Sequence, residues 1–261
     1  METVLIDIDS RGVATVTFNR PDVHNAFDDA MIVSLTAHLK KLDVDENVRA
    51  VVVRGNGKSF SAGADLNWMK RTADYSYDQN LADAQDLAEM LWILNRLSKP
   101  TVAVVQGAAY GGGVGLVGAC DIVIASDLAK FRLSEARLGI MASVISPYVL
   151  AAIGESQARR YTLTAEPFGA ADARRIGLVH EVVDAGDLDG KAEEILSLLL
   201  QNGPAAMSAI KGLVFSLQGR SFDETVVRET AEGIARVRAS DEGKEGISAF
   251  LDKRKANWVR D

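Results

Sequence analysis

Two short runs of small residues could do chemistry through the backbone rather than through side chains. Phe60-Ser61-Ala62-Gly63-Ala64-Asp65-Leu66 follows the apolar Val51-Val52-Val53, and Gln106-Gly107-Ala108-Ala109-Tyr110-Gly111-Gly112-Gly113 follows Thr101-Val102-Ala103-Val104-Val105. Apolar runs of this kind predict buried parallel strands, which deliver their loops to one edge of a sheet. Small residues there leave peptide N–H groups open to a ligand. Two such donors converging on one oxygen form an oxyanion hole, and a single donor is worth roughly 2.7–4 kcal/mol in the transition state. A carbonyl substrate is the expected consequence.

The elements that must hold these loops are legible on either side. Val4 to Ile8 and Ala14 to Phe18 alternate as strands do, with turn residues Asp9-Ser10-Arg11-Gly12 between them, so a hairpin with an edge strand is expected. Met31, Leu35, Leu39 and Leu42 recur at helical spacing from Asp28 onward, and Leu81, Leu87, Leu91, Leu94 and Leu97 do the same before Pro100. A short glycine-rich helix then leads to a strand at Asp121–Ala125. Strands alternating with helices predict an α/β core. After a strand at Val179–Val183 the segments Leu188–Gln201, Pro204–Gln218, Phe222–Ala239 and Glu245–Trp258 all read helical. The turn Asp184-Ala185-Gly186-Asp187 therefore divides a core, residues 1–187, from a helical region, residues 188–261.

Composition narrows the function. The 261 residues carry 29 basic and 36 acidic side chains, a formal charge of -7 that argues against nonspecific nucleic-acid binding. The single cysteine, Cys120, sits in an apolar segment, which predicts a buried structural thiol; the lack of a disulfide framework suits a reducing compartment. Acids rather than basic residues precede the first apolar run, so a cytoplasmic protein is expected. The uncharged stretch Thr101–Cys120 matches a membrane span in length, but six glycines and Gln106 favour a buried strand, turn and helix. His24, His38 and His180 are scattered, without zinc-like spacing, so no metal is expected. Gly113-Val114-Gly115-Leu116-Val117-Gly118, with Asp127 beyond the next strand, fits a dinucleotide fingerprint and leaves an oxidoreductase as an alternative. Against it, Gly113 lies eight residues past Val105, where such a turn should begin at once.

Taken together and in order, these segments resemble the crotonase, or enoyl-CoA hydratase/isomerase, superfamily over nearly the whole chain. Asn19-Arg20-Pro21-Asp22-Val23-His24-Asn25-Ala26-Phe27 resembles its first coenzyme A loop, Ser61–Leu66 its first oxyanion segment, Gly111-Gly112-Gly113 its second, and Ala249-Phe250-Leu251-Asp252-Lys253-Arg254-Lys255 its C-terminal coenzyme A signature. The resemblance implies a crotonase-like spiral of ββα units with a helical C-terminal trimerisation region, assembled as a homotrimer or a dimer of trimers. It implies an acyl-CoA substrate, with no cofactor beyond the coenzyme A that the substrate carries.

By the same resemblance the oxyanion donors are the N–H groups of Ala64 and Gly112. The acyl-CoA site would take Val23, His24 and Ala26 from the first loop, Ala62, Asp65 and Leu66 from the second, and Ala108 and Gly115 from the third. Ser134, Arg137 and Leu138 would complete it, with Phe250 against the adenine and Lys253 against the phosphates. Asp65 could instead cap the helix that follows it. Phe131–Gly139 aligns with the segment that carries one of the family's two hydration glutamates, here Glu135. The other position is Gly115, which has no side chain. That departure leaves three readings: one-carboxylate hydration, double-bond isomerisation through the same enolate, and a weakly catalytic acyl-CoA-binding protein. Val144–Val149, Ala152–Glu155 and Arg159–Glu166 resemble bacterial 3-methylglutaconyl-CoA hydratases of leucine catabolism. A substrate with a distal carboxylate would call for a cation, for which Lys70, Arg71 and Arg137 are the candidates.

Overall fold

A computed structural model describes residues 2–259. Its main sheet has six strands in the order β1 (Val4–Ile8), β2 (Val13–Phe18), β3 (Ala50–Gly55), β5 (Thr101–Val105), β7 (Ile122–Ser126) and β10 (Glu181–Val183). Only β1 runs antiparallel to its neighbour, so the expected hairpin closes one edge. A smaller sheet, in the order β4 (Ser59–Ser61), β6 (Ala108–Tyr110), β8 (Lys130–Arg132) and β9 (Phe168–Gly169), lies beyond the C-terminal ends of the first. Each turn of the chain places one strand in each sheet and then a helix. β3 and β4 precede α2 (Leu66–Thr72) and α3 (Tyr77–Arg96), β5 and β6 precede α4 (Gly112–Ala119), and β7 and β8 precede α5 (Ser146–Thr164). This is a spiral of ββα units.

The central strands are buried on both faces, which is why their sequences are continuous rather than alternating. Val51, Val53, Ala103, Val105 and Val123 pack under α1 (Asp29–Val44), α3 and α4. Val13, Val52, Val102, Val104 and Ile124 face the other way, onto Leu188, Ala192 and Leu196 of α7 (Leu188–Leu200). The first helix beyond Asp187 is therefore the lid on the second face of the sheet. The remaining helices, α8 (Pro204–Leu217), α9 (Glu224–Ala239) and α10 (Asp241–Leu251), follow it, with α6 (Ala170–Arg175) lying earlier between β9 and β10. Lys211 of α8 pins the region down by an ion pair of 2.7 Å to Asp121, whose carboxylate also takes the Thr101 amide and hydroxyl.

Two readings need correction. The last helix, expected over Glu245–Trp258, starts at Asp241 on the hydroxyl of Ser240 and stops at Leu251. Lys253 then turns left-handed (φ 54°) and Trp258 folds back against Gly246, where a Cβ would stand 2.9 Å from the indole. Leu81, counted on the apolar stripe of α3, is exposed. The stretch Thr101–Cys120 folds as expected, as β5, β6 and α4, and no helix among the described residues is long and apolar enough to cross a membrane. Its polar interruption holds two loops together, since the Gln106 amide donates to Gly55 and Ser59 oxygens at 2.8 and 2.9 Å and so ties β5 to the β3–β4 turn.

Cutting the chain after Asp187 would expose the apolar face covered by α7. Such a truncation is expected to be insoluble or to lack cooperative unfolding by circular dichroism, whereas a chain cut before α10 should keep a folded core. A soluble, cooperatively unfolding 1–187 fragment would contradict the role given to α7.

Candidate active site

The loop after β4 is held to the segment before α1 by a single parallel bridge between Phe27 and Ala64. Phe27 N–H donates to Gly63 O at 2.8 Å and Asp65 N–H donates to Phe27 O at 2.9 Å, so the strand partner engages the residues on either side of Ala64. The Ala64 N–H has no acceptor among the described residues. Gly63, at φ 86°, brings this loop against the second: a Cβ there would lie 2.7 Å from Tyr110 O and 3.5 Å from Gly112 N. Gly112 opens α4 after left-handed Gly111, and its N–H is likewise unpaired. The helix dipole adds to its attraction for negative charge. A Cβ on Gly112 would stand 2.3 Å from Phe27 Cζ, so glycine is required for packing as well as for access.

Both N–H groups open on a cavity of about 860 Å³ whose wall includes Phe27, Trp68, Leu87, Met141, Val144 and Ile145. Glu135 enters it from the first residue of a 3-10 turn, Glu135–Leu138. Its Oε2 is buried and has no partner, and Oε1 lies 3.2 Å from where a Gly111 Cβ would be. Burial pushes the carboxyl above the ordinary glutamate range, against the partial effect of nearby backbone donors. Arg132 does not neutralise it: its Nε donates to Ala165 O at 2.8 Å. A buried carboxyl with a raised pKa, beside two unpaired amide donors, can give and take a proton at carbon.

The structure brings together Ala62, Ala64, Leu66, Gly112, Ser134, Glu135 and Leu138 on this wall. Other expected site residues fall elsewhere. Asp65 is a fastener: burial raises its pKa, but the Asn67 and Trp68 amides and Arg20 outweigh that and hold it below the usual range. His24 holds the first loop through Ser59 Oγ at 3.0 Å, beside buried Ala26 and exposed Val23. Ala108 pairs in the small sheet, and Arg137, Phe250 and Lys253 are exposed and are not among the residues lining the cavity. Gly115 faces Ile145, whose Cγ2 lies 2.2 Å from a Cβ placed there, so isoleucine fills the volume of the missing glutamate. Lys70 and Arg71 do not line the cavity either, and Arg71 pairs with Asp29 at 2.7 Å.

The dinucleotide alternative fails on packing. Gly113, Gly115 and Gly118 lie inside α4 and accommodate Ser61, Ile145 and Tyr148 rather than forming a strand-to-helix turn. A second cavity, about 530 Å³ beside α8, offers no comparable chemistry: Asp121 and Lys211 satisfy each other there, and burial pushes the Cys120 thiol up to about 12. The sequence reading missed Trp68, Asp83 and Ile145. Asp83 did carry a signal, being a polar residue on the stripe Asp83, Leu87, Leu91, Leu94 of α3.

The family model for enoyl-CoA hydratase/isomerase matches residues 9–261. The chain is 32% identical over 245 residues to 2,3-dehydroadipyl-CoA hydratase of Escherichia coli, covering 93% of each. An enoyl-CoA hydratase structure from Shewanella pealeana superposes with a TM-score of 0.96 at 43% identity, covering 98% of this chain and 96% of that one. One from Mycobacterium smegmatis gives 0.93 at 32% identity over the full length of both. The chain belongs to the enoyl-CoA hydratase/isomerase family.

Two substitutions test the geometry. Because the folded pKa of Glu135 is raised, its contribution to stability is complete below the unfolded value of about 4.3 and is lost as pH rises through the folded value. Glu135→Gln should therefore resist denaturant better than wild type at pH 8, with the difference vanishing near pH 4. Gly115→Glu is expected to lose about 1–3 kcal/mol of stability by driving the new side chain into Ile145. Denaturant titration that found no loss would show that Ile145 moves freely.

Proposed function

We propose that this enzyme adds water to a 2-enoyl-CoA thioester, and that Glu135 supplies the proton at the α-carbon. The observation that carries this reading is one cavity holding two unpaired amide donors, Ala64 and Gly112, and one buried carboxylate with a free oxygen, Glu135. The thioester oxygen accepts both amides. As water bonds to the β-carbon, the double-bond electrons move onto that oxygen, where the preorganised donors stabilise the enolate. Glu135 then protonates the α-carbon, and the proton that the water loses on bonding is taken up by a base in the site and returned through solvent to Glu135. The reaction uses no cofactor, and the coenzyme A arrives with the substrate. Isomerisation passes through the same enolate and is the second reading, favoured by Gly115. A binding-only role is disfavoured by the buried, unpartnered position of Glu135.

The finer proposal is 3-methylglutaconyl-CoA as substrate, in leucine breakdown in the cytoplasm, supported by the resemblance of the Val144–Glu166 segments. The cavity wall carries Asp83 and no lysine, arginine or histidine among the described residues, which makes a neutral branched acyl group its natural competitor. The proposed assembly is a trimer or a dimer of trimers. Exposed apolar residues on the C-terminal helices, Ile210, Val214, Ile234 and Phe250, support it, and Phe250 and Lys253 would then reach the nucleotide end of the substrate across a subunit boundary.

An acyl-CoA panel followed by enoyl-thioester absorbance and product mass tests the reaction. Gain of one water marks hydration, and rearrangement at constant mass marks isomerisation. Glu135→Gln should lower turnover roughly 10²–10⁴-fold with little change in acyl-CoA affinity. A kcat/KM about tenfold or more higher for 3-methylglutaconyl-CoA than for 3-methylcrotonyl-CoA supports the finer proposal; equal values assign the pocket to neutral branched acyl groups.

A further inference from the structure

The family's water-activating glutamate has no counterpart at Gly115, and Ile145 closes that volume, so a hydratase built this way needs another group to hold the attacking water. The cavity wall offers one. Asp83 of α3 and Glu135 are its only ionisable groups among the described lining residues. Asp83 is half-buried, and no lysine or arginine among the described residues lies within ion-pair distance. Its Oδ1 accepts the Trp68 indole N–H at 2.8 Å.

That contact ties Asp83 to the oxyanion corner. Trp68 is buried on α2, three residues past Asp65, and its ring sits 6.1 Å from that of Phe27. Phe27 in turn bridges to Ala64 and closes on Gly112. One carboxylate oxygen is thus fixed by a rigid aromatic, and the other is left to the cavity. We propose that Asp83 is the general base that holds and deprotonates the attacking water, standing in for the glutamate absent at Gly115.

The step balances. A water O–H bond breaks and its proton passes to the free Asp83 oxygen while the oxygen bonds to the β-carbon. The double-bond electrons move through the α-carbon to the thioester oxygen, and protonated Glu135 returns a proton to the α-carbon. Asp83 ends protonated and Glu135 ionised, and exchange with solvent restores both. Burial, helped by the like charges of Asp29 and Asp86, outweighs the Trp68 hydrogen bond and the Arg71 charge and holds Asp83 above the usual aspartate range, which makes it a stronger base than an exposed aspartate.

The proposal rests on the hydratase reading, and α-hydrogen exchange separates the two. Exchange of a saturated acyl-CoA, butyryl-CoA, in deuterated water needs the oxyanion hole and Glu135 but no attacking water. Asp83→Asn, in the full chain, keeps an acceptor for Trp68; it is expected to lower hydration of crotonyl-CoA and 3-methylcrotonyl-CoA roughly 10²–10⁴-fold, with exchange and acyl-CoA affinity within about threefold of wild type. Trp68→Phe, which keeps a ring and deletes the donor, should lower kcat for hydration and spare exchange, as expected of a positioning residue. Unchanged hydration in Asp83→Asn, or equal loss of hydration and exchange, overturns the proposal. A wild-type enzyme that exchanges or isomerises but adds no water to any enoyl-CoA overturns the hydratase reading itself, before any Asp83 variant is made.

Discussion

Two backbone N–H groups left without partners in a protein interior are a liability, since each lost hydrogen bond costs about 1–3 kcal/mol unless something else accepts it. The structure depends on tolerating that at Ala64 and Gly112. Ala64 is free because the parallel bridge with Phe27 uses the peptide groups on either side of it. Gly112 is free because the first turn of a helix has no preceding carbonyls to use. The spiral of paired strands exists, in functional terms, to bring one donor of each kind to the same point. Gly63 and the phenyl ring of Phe27 set how near they come.

Around that point, charge is handled in two opposite ways. Asp65 is buried but fully compensated by Asn67, Trp68 and Arg20, so it stays ionised and locks the loop. Glu135 is buried with an oxygen left over, so its charge is disfavoured and its proton is available. Similar chemical groups within one site become a rivet and a free acid because one has its lone pairs filled and the other does not. The contrast is one of hydrogen-bond accounting rather than residue type.

Much of this was legible in the chain because the physics that carries it is local. Strands β3 and β5 appear as valine runs because both faces are covered, and the cap at Asp65 and the glycines at 111–113 follow from backbone demands that leave few residue choices. Strands β4, β6, β8 and β9 were not legible: two or three residues are too few to show an alternation. Position 115 was visible as a departure, but not its filling by Ile145, thirty residues on, since that contact arises only when α5 docks on α4. Asp83 gave only a faint signal for a similar reason. Its place on an apolar stripe reads as an irregularity until α2 supplies Trp68.

The contact between Gly115 and Ile145 also constrains the history open to this site. An acid at 115 has nowhere to go while isoleucine stands at 145, and a smaller residue at 145 leaves a void while glycine stands at 115. Neither single step is comfortable, so the two positions must change nearly together or through an intermediate of middling size. The arrangement behaves as a ratchet. A lineage that has moved its water-handling group to another wall of the cavity finds the old solution closed behind it, and later adaptation to new acyl groups is channelled onto α3 and the α5 approach rather than onto the floor of α4.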